Sequence, residues 1–352
     1  MQNININIGF LNSPSAFYFS SRKGLEEFNR GWQSGFQPSV CWDLRQLTVG
    51  KINVGAVAFF LAVAHRVRHF TGQSQDILLE WHPKQFSFLS DIGFFEISDQ
   101  YDLFNWPFTI GGFESEYINP STKIMSFEQI LPPPDYNDET TVAEWKQLHR
   151  ETYRTEIINN CEALFSSKLH STNRNLPLIM SRTCSELVTN SLLWGNATSF
   201  VSFQRTKSNI FINVCDIGRG FKQSLRSKDA FENLKKEDNS IDDIYAIGLG
   251  SVINENDFGL KRAISTVMDL GGDITILSNS GELHWAKPLW ESYLQDIDSS
   301  GLDYALDSLH TGSIIQTSEE RKKLKDRGFS RSWSSSIRGT RIGFYIPIGE
   351  GI

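Results

Sequence analysis

Glu186 and Asn190 stand four residues apart in Glu186-Leu-Val-Thr-Asn190, so on a helix the carboxylate and the carboxamide share one face. That pairs a group able to take a proton with one able to ligate a hard cation through oxygen. Further along, a strand-like run from Asn209 to Cys215 ends on Asp216, and Gly218 and Gly220 follow it in Asp216-Ile-Gly-Arg-Gly220. Glycines there let the backbone turn sharply and come close to a ligand. Next, Asp257-Phe-Gly259-Leu260 opens an apolar-periodic helix running to about Leu270. The free N–H groups at its start can hold phosphate oxygens, and Lys261 or Arg262 can add positive charge. Three elements converging in this way read as one nucleotide site.

The elements that must carry these residues are marked in the chain. Leu131-Pro-Pro-Pro134-Asp-Tyr-Asn-Asp138 forbids a helix and suits a linker, which divides the chain into residues 1–130, a linker over 131–140, and residues 141–352. Thr141-Val-Ala-Glu144 is a capping-box pattern, and Val142, Trp145, Leu148, Ile157, Cys161 and Phe165 give helical spacing after it. A polar loop from Ser166 to Asn175 leads to a helix over about Leu178 to Trp194 that carries Glu186 and Asn190. Thr198–Gln204 and Asn209–Cys215 read as a hairpin that delivers Asp216 to a sheet edge. Between Gly220 and Gly259 runs a charged segment with Phe231, Leu234 and a Gly248-Leu-Gly250 turn, whose glycines serve either phosphate contact or hinges. Gly271-Gly272 ends the next helix, and a strand follows over Asp273–Ser278. Residues 288–336 then separate that strand from a last one, Ile342–Pro347, opened by Arg338-Gly339-Thr340-Arg341.

In order and chemistry these pieces resemble the GHKL superfamily, which takes in gyrase, large cytosolic heat-shock chaperones, histidine kinases and mismatch-repair ATPases. The resemblance covers roughly residues 140 to 350. It rests on four elements in the family's order: Glu186 with Asn190, Asp216 with Gly218 and Gly220, Gly259 with Leu260, and Gly339 with Thr340. It implies ATP and Mg²⁺ as ligands and an α/β sandwich, a mixed sheet covered by helices. By likeness, Asp216 accepts a hydrogen bond from the adenine amino group with Thr340 beside it. Asn190 holds the magnesium ion, Glu186 acts as the base, and the segment ending at Gly259-Leu260 is a lid over the phosphates. Family kinases often carry a basic residue or histidine three or four positions after the asparagine; here Leu193 and Trp194 stand there, so charge compensation must come from elsewhere or turnover is slow. The 288–336 segment, where those kinases have a short hairpin, reads as a partner surface, a dimer element or a loosely structured decoration.

The first domain reads as a small α/β unit. Met1–Ile8 alternates like a strand, Ser39–Leu44 and Asp76–Trp81 suit strands, Val54–Phe70 an apolar helix, and Phe86–Ile92 a short helix ending at Gly93. This order resembles the STAS domains of anti-sigma-factor antagonists. Their phosphorylatable residue starts the first long helix; here Asn53 and Val54 stand at that place, so the phosphoswitch is expected to be absent.

A formal net charge of −7 argues against broad nucleic-acid binding, and the basic run Arg321-Lys-Lys-Leu-Lys325 reads as a solvated helix face. No apolar run is long enough to span a bilayer. Cys41, Cys161, Cys184 and Cys215 lack Cys-x-x-Cys spacing and suit reduced core positions of a cytoplasmic protein. His65 and His69 have metal-ligand spacing, but Arg66 stands where a zinc-protease helix needs glutamate, so a structural pair is expected. His149 lies in Leu-His-Arg-Glu-Thr, faintly like a phosphoacceptor helix, with Tyr153 in place of proline; it reads as a surface or interface residue. The expectation is an ATP-binding conformational switch with slow Mg²⁺-dependent hydrolysis, acting on a protein partner in a bacterial regulatory or defence complex, with a homodimer open. The alternatives are a serine/threonine kinase resembling anti-sigma factors and a non-hydrolysing scaffold that holds a nucleotide.

Overall fold

The computed structural model describes residues 3–9, 11–47, 52–80, 82–108, 121–136, 138–169, 175–225, 243–253, 259–311 and 318–348. The chain is α/β, with a parallel and an antiparallel sheet. Its contacts divide it into two units, residues 1–126 with 200–204, and residues 127–199 with 205–352. Among the described residues no helix is long and apolar enough to cross a membrane.

In the first unit β1 (Asn3–Asn7), β2 (Ser39–Asp43), β3 (Gln75–Leu78) and β4 (Phe104–Asn105) lie side by side in chain order, all parallel. Parallel neighbours need crossovers, which α1 (Pro14–Gln33), α2 (Val54–Thr71), α3 (Pro83–Asp91) and α4 (Phe94–Gln100) supply. β1 alternates exposed asparagine with buried isoleucine, as its period-two pattern requires. α2 is buried continuously from Val54 to Ala64, is capped by Asn53, whose side chain accepts the Ala56 N–H at 3.1 Å, and stops at Gly72 with φ +65°. Helix α1 was not expected from the sequence. Its signals are a Ser13 cap, Pro14 in the first turn and inward-facing Phe17, Tyr18, Leu25 and Phe28. Gly24 interrupts that pattern for a packing reason: a Cβ there would lie 2.5 Å from Ile6 of β1.

The next strand, β5 (Thr122–Phe127), neighbours β6 (Ser199–Arg205). In the second unit α5 (Glu139–Leu169) packs along α6 (Leu176–Leu193). The cap of α5 is Asp138 rather than Thr141: its Oδ1 accepts the N–H groups of Thr140 and Thr141, each at 2.9 Å. Those bonds hold the exposed Asp138 carboxyl below its usual range. β7 (Asn209–Asp216) leads into α7 (Gly220–Leu225); α8 (Asp243–Val252), α9 (Leu260–Asp269) and β8 (Asp273–Trp285) follow. The Gly248-Leu-Gly250 turn expected from the sequence is part of α8. Both glycines are there for contact, since a Cβ on Gly248 would meet Leu309 at 2.7 Å and one on Gly250 the Phe221 ring at 2.4 Å.

Among the described residues, the segment over 288–336 carries regular elements. α10 (Lys287–Ser300), α11 (Leu302–Thr311) and α12 (Ser318–Leu324) lie along it, and β9 (Phe329–Pro347) starts well before Ile342. β7, β9 and β8 are adjacent in that order and antiparallel, with the β8–β9 ladder running from Asp273↔Tyr345 to His284↔Phe329 across a bulge near Ser278–Gly281. Trp285, Trp290 and Tyr293 seal α10 against β8, their ring centroids 5.0 to 6.3 Å apart. From the basic run, Lys325 sits over the Tyr345 ring and 3.6 Å from Asp273.

Candidate functional site

The residues singled out for chemistry lie on α6, β7, the start of α9 and β9, and these elements, with α5 and α7, enclose one cleft of the second unit. It is lined by Asn190, Asp216, Gly220, Gly259, Leu260 and Thr340 among others, with a cavity volume of about 130 Å³. Of the remaining expected residues, Gly218 sits beneath the Asp216 carboxylate, while Lys261 faces a separate depression with Leu294 and Asp298. Glu186 is not in the cleft wall. Asp257 and Phe258, with Phe231 and Leu234, lie outside the described residues.

Asp216 ends β7 directly opposite Thr340 of β9, and Thr340 faces Ser278 of β8. Its side chain is buried: Oδ1 accepts the Gly218 N–H at 2.9 Å and Oδ2 accepts the Ser191 hydroxyl at 2.8 Å. Burial pushes its carboxyl from 3.8 up to about 6, against the lowering by those two bonds and by the Thr340 N–H. The result is a carboxylate fixed in direction, with acceptor capacity left for a donor in the cleft.

Glycine holds the turn after Asp216 because α6 ends beneath it. A Cβ on Gly218 would lie 2.3 Å from the Gly195 carbonyl oxygen, and the Arg219 N–H donates to that same oxygen at 3.0 Å. Gly339 is tighter still, with φ +117° and a Cβ position 2.2 Å from the Asp216 carbonyl oxygen. Gly339→Ala is therefore expected to lower stability by about 3 kcal/mol and to push β9 away from β7 at Asp216. A thermal melt of the variant checks this.

Glu186 lies one helical turn before Asn190, as the spacing requires, but its carboxylate points at α5. Arg154 Nε is 2.6 Å from Oε1 and Arg150 Nη2 is 3.4 Å from Oε2, with all three side chains at most a tenth exposed. Burial raises the Glu186 carboxyl, while Arg154 and then Arg150 pull it down. Arg150 also lines the cleft, as do Trp194, Ser191 and Phe221. Sequence reasoning missed Arg150 and Arg154. Their signal is the spacing Lys146, Arg150, Arg154, a basic stripe along one face of α5. Lys146 closes the stripe at the Trp194 end, where Nζ donates to Asn196 Oδ1 at 2.9 Å and lies 5.4 Å from the Trp194 ring centroid.

The histidines have other surroundings. In the first unit His65 packs edge-on to Tyr101 at 4.8 Å, and burial lowers its pKa to about 4. His149 stacks on Trp145 at 4.7 Å, with Nδ1 2.9 Å from the Trp145 carbonyl oxygen. Among the described residues no group of three or more His, Cys, Asp or Glu could hold a metal ion by itself. Cys41, Cys161, Cys184 and Cys215 are buried and free. No protein-family model, no curated protein and no solved structure matches this chain.

Proposed function

We propose that the chain is an ATP-binding protein of GHKL type, in which the second unit binds the nucleotide and hydrolyses it slowly with Mg²⁺. The observation that carries this reading is the convergence of residues from α6, β7, α9 and β9 on one cleft beside a buried, oriented carboxylate. In this reading Asp216 accepts the adenine amino N–H with Thr340 beside it. The first N–H groups of α9 face the phosphates; a Cβ built on Gly259 meets nothing within 4 Å, so space is left for them there. The Asn190 side-chain oxygen suits Mg²⁺, which asks for few protein ligands and, when bound, neutralises charge on phosphate oxygens. In hydrolysis a water oxygen bonds to the γ-phosphorus as the bond to the β–γ bridging oxygen breaks. ADP leaves with that electron pair, and the water's proton passes to the Glu186 carboxylate, which must first turn from the α5 arginines toward the cleft.

The clamp on Glu186 favours a second reading, a scaffold that holds nucleotide without turning it over. Incubation with γ-labelled ATP and Mg²⁺, following free phosphate and labelled protein together, separates the two. Phosphate release supports the hydrolase; bound, unchanged ATP supports the scaffold; label on protein points to a kinase.

The first unit and the helices α10 to α12 are proposed as the surfaces for a protein partner. If the first unit is STAS-like, its switch position is filled by Asn53, a capping carboxamide with no hydroxyl to phosphorylate.

Asp216 gives this reading a pH signature. Its folded pKa of about 6 lies above the ordinary 3.8, so the folded chain holds the extra proton between those values. The stability it contributes is full below about pH 4 and is lost as pH rises to about 6. Ligand binding runs the other way, because the adenine amino donor needs the ionised group. Affinity for adenosine, which carries no phosphate to titrate, is expected to fall by about tenfold per pH unit below about 6, as calorimetric titrations at several pH values would show.

A further inference from the structure

Three cations descend one face of α5 at four-residue intervals, Lys146, Arg150 and Arg154, and they are only 5%, 7% and 8% exposed. Among the described residues, Glu186 is the buried carboxylate that ion-pairs with this stripe. Buried charge is costly unless it is paired. The two guanidiniums hold Glu186 unequally. Arg154 sits 2.6 Å from Oε1 and also reaches the exposed Glu151 at 3.3 Å. Arg150 meets Oε2 at 3.4 Å, the outer limit of a hydrogen bond, and it is Arg150 that lines the cleft beside Asn190. On α6 the positions beyond Asn190, Leu193 and Trp194, carry no charge. Negative charge arriving next to Asn190 therefore meets Arg150.

We infer that Arg150 is the phosphate-binding cation of the cleft and a positioning residue for Glu186, moving from the carboxylate to the phosphate oxygens when a triphosphate enters. The inference rests on the nucleotide reading above and adds to it the residue that senses the phosphates. A guanidinium presents paired N–H donors that match phosphate oxygens, so the exchange replaces one long contact with charge-assisted bonds. It also has a consequence for Glu186. Arg154 alone then holds the carboxylate, one of two neighbouring positive charges has gone, and the group becomes more basic only when triphosphate is present. An empty site keeps its base quenched.

The test measures Mg²⁺-ATP and adenosine affinities by calorimetry for the wild type, Arg150→Gln and Arg150→Lys. Arg150→Gln is expected to weaken ATP by about tenfold or more and to leave adenosine within about twofold. Arg150→Lys, which keeps the charge and loses the paired donors, should fall between. Unchanged ATP affinity in Arg150→Gln, or an equal loss for ATP and adenosine, would overturn the inference, the second because it marks a structural role. Should Arg150→Gln fail to fold, the ATP-to-adenosine ratio of Arg150→Lys decides: a fall supports the assignment and an unchanged ratio removes it. Wild-type protein that binds neither compound takes away the nucleotide reading itself, and this inference with it. Adenosine binding retained without any ATP preference removes the phosphate role alone.

Discussion

Asp216→Asn is expected to weaken adenine nucleotides by about 100-fold while leaving the melting midpoint within a few degrees of wild type. The two halves of that expectation have different causes. The Gly218 N–H can only donate, so the amide oxygen of an asparagine must take its place at 2.9 Å. The NH₂ then faces Ser191, whose hydroxyl can accept it and turn its own proton to the Leu187 carbonyl 3.2 Å away. The Gly218 and Ser191 contacts therefore both keep a partner, and the fold no longer carries an ionised group that burial disfavours. The cleft loses the charge and acceptor capacity that the adenine amino group needs, and a donor faces a donor. Calorimetry with ATP and a thermal melt read the two halves separately. Equal affinity in wild type and variant would remove the adenine assignment.

The second large effect is at Glu186, where the choice of substitution decides what is learned. Glu186→Ala leaves Arg150 and Arg154 buried without their shared carboxylate, and breaking such a cluster costs about 3–5 kcal/mol. A lost activity in that variant would report a loosened α5–α6 pair as readily as a lost base. Glu186→Gln keeps an acceptor oxygen for Arg154 and removes the basicity. It is expected to hold ATP within about threefold of wild type and to lower phosphate release by about 10²- to 10⁴-fold. Turnover unchanged in Glu186→Gln would assign proton transfer to another group and leave Glu186 as the anchor of the α5 stripe.

How much of this was legible in the sequence follows from the range of each signal. Glu186 and Asn190 fall on one helix with the right spacing because i, i+4 geometry is local. Asp216 closes its strand where the hydrophobic run ends, and Gly218, Gly259 and Gly339 mark close approaches or turns that only glycine allows. The direction of the Glu186 side chain was not legible, because it is set by two arginines on another helix, more than thirty residues away in sequence. Arg150 was hidden for the same reason. Its spacing with Lys146 and Arg154 looks like an ordinary solvated face, and only the packing of α5 on α6 buries it. The early start of β9 was missed because Phe329-Ser-Arg-Ser-Trp-Ser-Ser-Ser336 has little strand propensity of its own; it is a strand because β8 offers it a ladder. The helix α1 was missed although its Ser13-Pro14 start is well formed, since Gly24 and a polar outer face break up its apolar stripe.

The measurement that bears most directly on the central claim is a calorimetric titration of the wild-type protein with ATP and with GTP in the presence of Mg²⁺. The account predicts one ATP per chain and at least tenfold weaker GTP, because the carboxylate of Asp216 meets a donor on adenine and the carbonyl oxygen of guanine at the same place. No binding of either nucleotide, or equal binding of both, would contradict it.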